Sequence, residues 1–201
     1  MKRSIVAETA PGGRIAEARP PGPVSATWLE RAALHYLERY SASAEMLRRT
    51  LARRVEKRAR LRGEEPAAFA DMIAATVARA VAAGLVDDAR FADTRLATLR
   101  RRGTSSRGVS AKLAAKGVPR DVVEAAMQAE RDALPDGEAE AIERQAAWAY
   151  AKRRRLGPHR RPDQRAGHRD RDLAALARAG FSYDLARRVV DAEPDGPDES
   201  G

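Results

Sequence analysis

Cysteine is missing from all 201 residues. Disulfides, thiol nucleophiles and cysteine-ligated zinc are excluded with it, and a chain without cysteine fits a cytoplasmic protein. Aromatics are scarce, at 4%, and β-branched runs are few, so a sheet has little to build its core from. Of the three histidines, His35 sits in a helical stripe while His159 and His168 lie in arginine-rich sequence. No two of them stand at ligand spacing, and no HExxH pattern occurs. No phosphate-cradling loop of the GxxxxGK(S/T) or GxGxxG kind is present, and no GxSxG elbow. Nowhere do about 18 consecutive apolar residues occur, so no membrane span is expected. The opening MKRSIVAETAPGG lacks the apolar stretch of a secretory signal. These absences predict a protein that is not an enzyme and carries no metal and no cofactor.

What is abundant is alanine, leucine and arginine, all strong helix formers. Thirty-eight Lys and Arg against 29 Asp and Glu give a net charge of +9, a field that attracts DNA, RNA or an acidic protein surface. A general bias toward arginine accounts for part of that total, but the charge is segregated. Residues 46–62 carry eight cations and one acid, residues 152–171 carry nine and two, and residues 190–201 carry five acids and no cation.

Helical periodicity runs from Trp28 to residue 192, between a leader broken by Pro11-Gly12-Gly13 and Pro20-Pro21-Gly22-Pro23 and the ending EPDGPDESG. Trp28, Ala32, Ala33, Tyr36, Leu37 and Tyr40 form one stripe, with Thr27 as its N-cap. Ser43 opens a second helix through Leu47, Leu51 and Val55. A third follows Pro66, with Phe69, Ile73, Val77 and Val81 as its apolar face, and stops at Gly84. The same three-helix paragraph recurs. At an offset of 63, LAAKGVPRDVVEAAM (113–127) repeats as LARAGFSYDLARRVV (176–190): Leu113 matches Leu176, Gly117 matches Gly180, and Asp121 matches Asp184. Each glycine suits a helix end that must enter the left-handed region. In the first paragraph LRRTLARRV lacks the glycine, and EKRARLRGEEPAA (56–68) is inserted before the third helix. The chain therefore reads as all-α: three tandem three-helix repeats at 26–86, 87–134 and 135–192 in an elongated, curved array, with a disordered leader over 1–25 and a disordered acidic tail over 193–201.

The joint between the first two repeats is GLVDDARFA (84–92). Its adjacent aspartates raise the question of a metal or acid–base pair. A hard cation wants more converging oxygens than two neighbours supply. A cap is the better reading: Gly84 ends one helix, Leu85 and Val86 are buried across the joint, Asp87 or Asp88 caps the next helix, and Phe91 begins its apolar face. The Gly-turn pairs also resemble helix-turn-helix grammar, although any compact three-helix unit uses such turns. Phosphate contact suits the sequence better. Arg100, Arg101, Arg102 and Arg107 surround a Gly/Ser/Thr loop, with Lys112 and Lys116 on the following helix. Lys152, Arg153, Arg154, Arg155, Arg160 and Arg161 form a second cluster. Such groups bind phosphates without reading sequence.

GLVDDARFA, together with AALHYLERYSASAEMLRRTL, RRRGTSSRGVSAKLAAKGVPRDVVEAAM and AGFSYDLARRVV in that order, resembles the RecX family of bacterial regulatory proteins over about residues 28–191. The resemblance implies three three-helix repeats and a non-catalytic, cytoplasmic regulator of recombination and DNA repair. It implies binding to the RecA recombinase filament on DNA and restraint of its recombinase and ATPase activities. The basic clusters become candidate contacts to RecA and to single- or double-stranded DNA, bound weakly and without sequence preference, by a protein acting as a monomer. The sequence departs from the family at the 56–68 insertion and at Arg95, where a bulky apolar residue is expected. An autonomous basic nucleic-acid-binding protein and a helical scaffold for an acidic partner are the rival readings of the same charge.

Overall fold

The computed structural model describes residues 21–135 and 139–193. The leader up to residue 20, residues 136–138 of the LPDGE spacer and the tail from 194 lie outside them. Among the described residues the secondary structure is helical throughout, without strands. The fold is all-α.

Three groups of helices each enclose a separate apolar cluster. Helices α1 (Ala26–Leu37), α2 (Ala44–Arg60) and α3 (Ala70–Ala82) surround Leu29, Leu47, Leu51, Val55 and Ile73. Helices α4 (Asp88–Arg101), α5 (Ser106–Ala115) and α6 (Arg120–Asp132) surround Phe91, Leu96, Val109, Leu113 and Val123. Helices α7 (Ala139–Arg154), α8 (Pro162–Arg178) and α9 (Tyr183–Val190) surround Ala147, Leu173, Leu176, Phe181 and Val189. Clusters this small leave each group dependent on its neighbours. Met46 of α2 accordingly packs against the second cluster.

The caps explain where the helices start. Ser43, Ser105 and Ser182 stand in extended backbone, and each hydroxyl accepts from the amide three residues on. At α1 the cap is Ser25, which accepts from the Trp28 amide at 3.2 Å. Thr27, expected there, lies inside the helix, because a cap needs the extended backbone that Ser25 has (φ −137°, ψ 160°).

Three further expectations are revised. The insertion does not simply separate the second helix from the third: Glu56 to Arg60 continue α2, and a 3-10 turn at Pro66–Phe69 then leads into α3. On α3 the buried face is Ile73, Thr76 and Ala80, while Val81 is exposed. A strict spacing of four advances 400° where a helix face needs 360°, so the expected stripe drifts off the core. At the joint only Val86 is buried; Leu85 is exposed.

Gly117 and Gly180 end α5 and α8 with φ of 75° and 96°. The Gly117 amide bonds to the Ala114 carbonyl and Val118 to Leu113; Gly180 and Phe181 repeat this with Ala177 and Leu176. The matched sequences thus make matched helix ends.

Candidate nucleic-acid interface

The two aspartates of the 84–92 joint do different work. Asp87, in extended backbone, caps its own helix by accepting from the Arg90 amide at 2.9 Å. Asp88 reaches out of its helix group: its Oδ1 accepts from the Ala44 amide, the first residue of α2, at 2.8 Å. Beside it Ser43 Oγ donates to the Lys116 carbonyl at 2.5 Å while accepting from the Met46 amide. The same pair of contacts joins the second and third groups. Glu143 on α7 accepts from the amide of Ser106, the first residue of α5, at 3.0 Å. Ser105 Oγ donates to the Ala179 carbonyl at 2.6 Å and accepts from Gly108. At each joint, then, a carboxylate satisfies the start of one middle helix, and a serine ties that start to the end of the next. A β-carbon at Gly117 would fall 2.4 Å from Glu45 Cβ, and one at Gly180 would fall 2.7 Å from Ser105 Oγ. The glycines serve this close approach as well as the turn.

The basic residues singled out from sequence divide into two kinds. Arg100 is mostly buried, with 13% of its side chain exposed. Its guanidinium bonds to both Glu130 oxygens, to Glu143, to Ser106 Oγ and to the Thr104 carbonyl. Arg160 likewise grips Asp172, whose side chain is 2% exposed, at 2.6 Å, while Asp172 also accepts from the Gly157 amide. Both arginines are held by the fold, as a buried carboxylate requires a partner. Bonding to Asp172 raises Arg160 above its ordinary value.

Arg101, Arg102, Arg107, Lys112, Lys152, Arg153, Arg154 and Arg155 are exposed, and Lys116 is half-buried. None of these nine makes an ion pair among the described residues, whereas Arg161 stands 3.5 Å from Asp163 in an exposed pair. Arg153 lies over the Tyr150 ring at 5.7 Å. Arg155 takes φ of 54°, a left-handed conformation that the ends of α2, α3, α4, α5 and α8 give to glycine.

Part of this second kind converges. A groove made of two adjoining cavities follows α8: one of about 350 Å³ between α5, the end of α7 and α8, and one of about 500 Å³ between the end of α7, the loop after it and α8. Lys112 lines the first, Arg171 and Arg160 the second, and Arg153, Arg154 and Arg178 line both. Gly108, Ala111, Ala175 and Ala179 are the small residues that line the groove. No cluster of three or more His, Cys, Asp or Glu able to hold a metal occurs among the described residues, and none of their helices is long and apolar enough to cross a membrane.

The model of the RecX second three-helix domain matches residues 87–127. The "Regulatory protein RecX" of Myxococcus xanthus is 43% identical over 175 residues, covering 87% of this chain and 90% of its own. The chain belongs to the RecX family. The "Regulatory protein RecX" of Agrobacterium fabrum is 27% identical over the same share of this chain and 88% of its own. No solved structure matches.

In RecX terms, the matched domain begins at Asp87 and takes in α4, α5 and most of α6, so it supplies Lys112 and one wall of the groove. The opposite wall comes from α8, and there sequence reasoning missed Arg171 and Arg178. A signal was available: Arg171, Ala175 and Arg178, spaced four and three, share one helix stripe. Arg171 was hidden by the dense charge of residues 152–171, in which paired and unpaired arginines look alike, and Arg178 by its place in the apolar stripe of LAALARAG.

Proposed function

We propose that this protein regulates the RecA recombinase by binding its filament on DNA, and that it restrains strand exchange and ATP hydrolysis there without catalysing a reaction itself. The observation that carries the reading is the 43% identity, across nearly the whole chain, to a protein named regulatory protein RecX. The helix groups support it as tandem repeats over 26–86, 87–134 and 135–192, stacked through the paired joints into an elongated, curved array that suits a helical groove. The exposed cations Arg101, Arg102, Arg107, Lys112, Lys152, Arg153, Arg154 and Arg155 are the contacts we assign to filament and DNA. Arg100 and Arg160 are set aside because their guanidinium groups are spent on Glu130, Glu143 and Asp172. The protein works as a cytoplasmic monomer and binds DNA alone weakly and without sequence preference.

The test is RecA-driven strand exchange and single-stranded-DNA-dependent ATP hydrolysis with stoichiometric amounts of this protein. Both rates fall on this reading; unchanged rates refute it. The rival, an autonomous nucleic-acid-binding protein, requires tight and sequence-selective DNA binding without RecA.

A further inference from the structure

We infer that the groove along α8 seats the sugar–phosphate backbone of a single nucleic-acid strand, held by Lys112, Arg153, Arg154, Arg171 and Arg178. This deepens the reading above, on which it rests for the presence of DNA, and it is tested without RecA.

Charge is the first support. Five cations from three helices face one groove, and none of them makes an ion pair among the described residues. The one carboxylate on the wall, Asp172, is buried and already held by Arg160 and the Gly157 amide. Like charges gathered in this way repel one another, and a polyanion in the groove reverses the sign of that interaction.

Shape is the second. The two cavities share Arg153, Arg154, Ala175 and Arg178, so they lie side by side along α8. Each has the volume of a small-molecule site, which suits successive nucleotides of one strand. A duplex, a rigid rod with its phosphates on the outside, meets only the rim. The glycine and alanine residues in the groove lining leave room for a strand beside the helix backbones.

The third support is what the groove does not offer. Protein partners are anchored by aromatic or aliphatic side chains in apolar pockets. Here the one aromatic is Tyr150, with Arg153 over its ring. Arginine forks fixed on helices match phosphate oxygens in pairs. The contacts are to the backbone and carry no base reading.

The test uses the full chain and a fluorescein-labelled oligothymidylate, with anisotropy recorded across a salt series. Three variants are compared with the wild type: Arg154→Ala/Arg178→Ala in the groove, Arg154→Lys/Arg178→Lys, and an α1 variant, Arg31→Ala/Arg39→Ala, on α1 and in the turn after it, whose arginines are exposed and outside the groove. Circular dichroism melting verifies that each is folded. Removing two groove contacts is expected to make the slope of log K against log salt shallower by about 1.4, at about 0.7 per phosphate of a single strand. The lysine variant keeps the slope and the α1 variant leaves it unchanged. Equal loss of slope in the groove and α1 variants assigns binding to the net charge and overturns the proposal. So does tighter binding of the duplex than of the single strand, or displacement of the oligonucleotide by polyglutamate at equal charge. A result of either kind is independent of whether RecA activity responds to the protein.

Discussion

The Asp88 carboxylate accepts a hydrogen bond from the Ala44 amide, 44 residues earlier in the chain, at 2.8 Å. The acid at the start of α4 thus caps α2, and its neighbour Asp87 caps α4 itself. Truncating either removes an acceptor from a helix start, an effect of about 1 kcal/mol. Asp87→Ala should loosen α4 alone. Asp88→Ala should loosen the joint, and Asp88→Asn, which keeps an acceptor oxygen, should recover most of the loss. Hydrogen exchange separates them: faster exchange at the Ala44 amide in Asp88→Ala and not in Asp87→Ala is the expected pattern.

Arg100 and its neighbours Arg101 and Arg102 should respond oppositely to alanine. Arg100→Ala strands Glu130 and Glu143 in a largely buried site, and should destabilise the protein by on the order of 2–3 kcal/mol. Arg101→Ala/Arg102→Ala touches only exposed side chains and should change stability by less than about 0.5 kcal/mol. Urea titration reads both. Equal midpoints for Arg100→Ala and wild type would show that the ion-pair cluster carries no weight in the fold.

Glycine replacements rank by what stands beside them. Gly84→Ala meets nothing within 4 Å and costs only its left-handed φ of 67°, about 1 kcal/mol. Gly117→Ala adds a collision with the Glu45 side chain and should cost clearly more. Thermal melting of the two variants tests the order. Arg155→Gly is the converse case: it relieves a φ of 54° on a non-glycine residue and should raise stability by about 0.5–1 kcal/mol.

Acid should weaken the fold. The hydrogen bond from Arg48 holds the Glu45 carboxyl at about 2, down from the ordinary 4.5; burial opposes it, and the hydrogen bond from Arg49 adds to the lowering. A lowered value means that the unfolded chain takes up the proton first. This contribution to stability is therefore present above about pH 4.5 and is lost as the pH falls toward 2. Asp191, lowered chiefly by its bond to Arg169, adds to the same slope. Glu45→Gln should flatten the fall of melting temperature with pH over that window while leaving the neutral-pH profile parallel to wild type.

Much of this was legible in the chain. Helix class, the 63-residue repeat, the capping of α4 by Asp87 or Asp88 and the left-handed glycines all follow from short-range rules. Periodicity, caps and turn residues act within a few positions of one another, so a sequence displays them directly. The stripe on α3 misled because a spacing of four and a spacing of 3.6 diverge over three turns.

The sequence alone determined an all-helical, cysteine-free, basic chain with the RecX pattern, because those properties reside in residue types and their local spacing. The tertiary structure alone decided which charges remain free. Arg100 and Arg101 are adjacent and chemically identical, yet one is spent on Glu130 and Glu143 and the other faces solvent. It also sent Asp88 to another helix group and set Arg178 opposite Lys112 across one groove. A charge's partner depends on distances between residues far apart in the chain, and only the packed helices fix those distances.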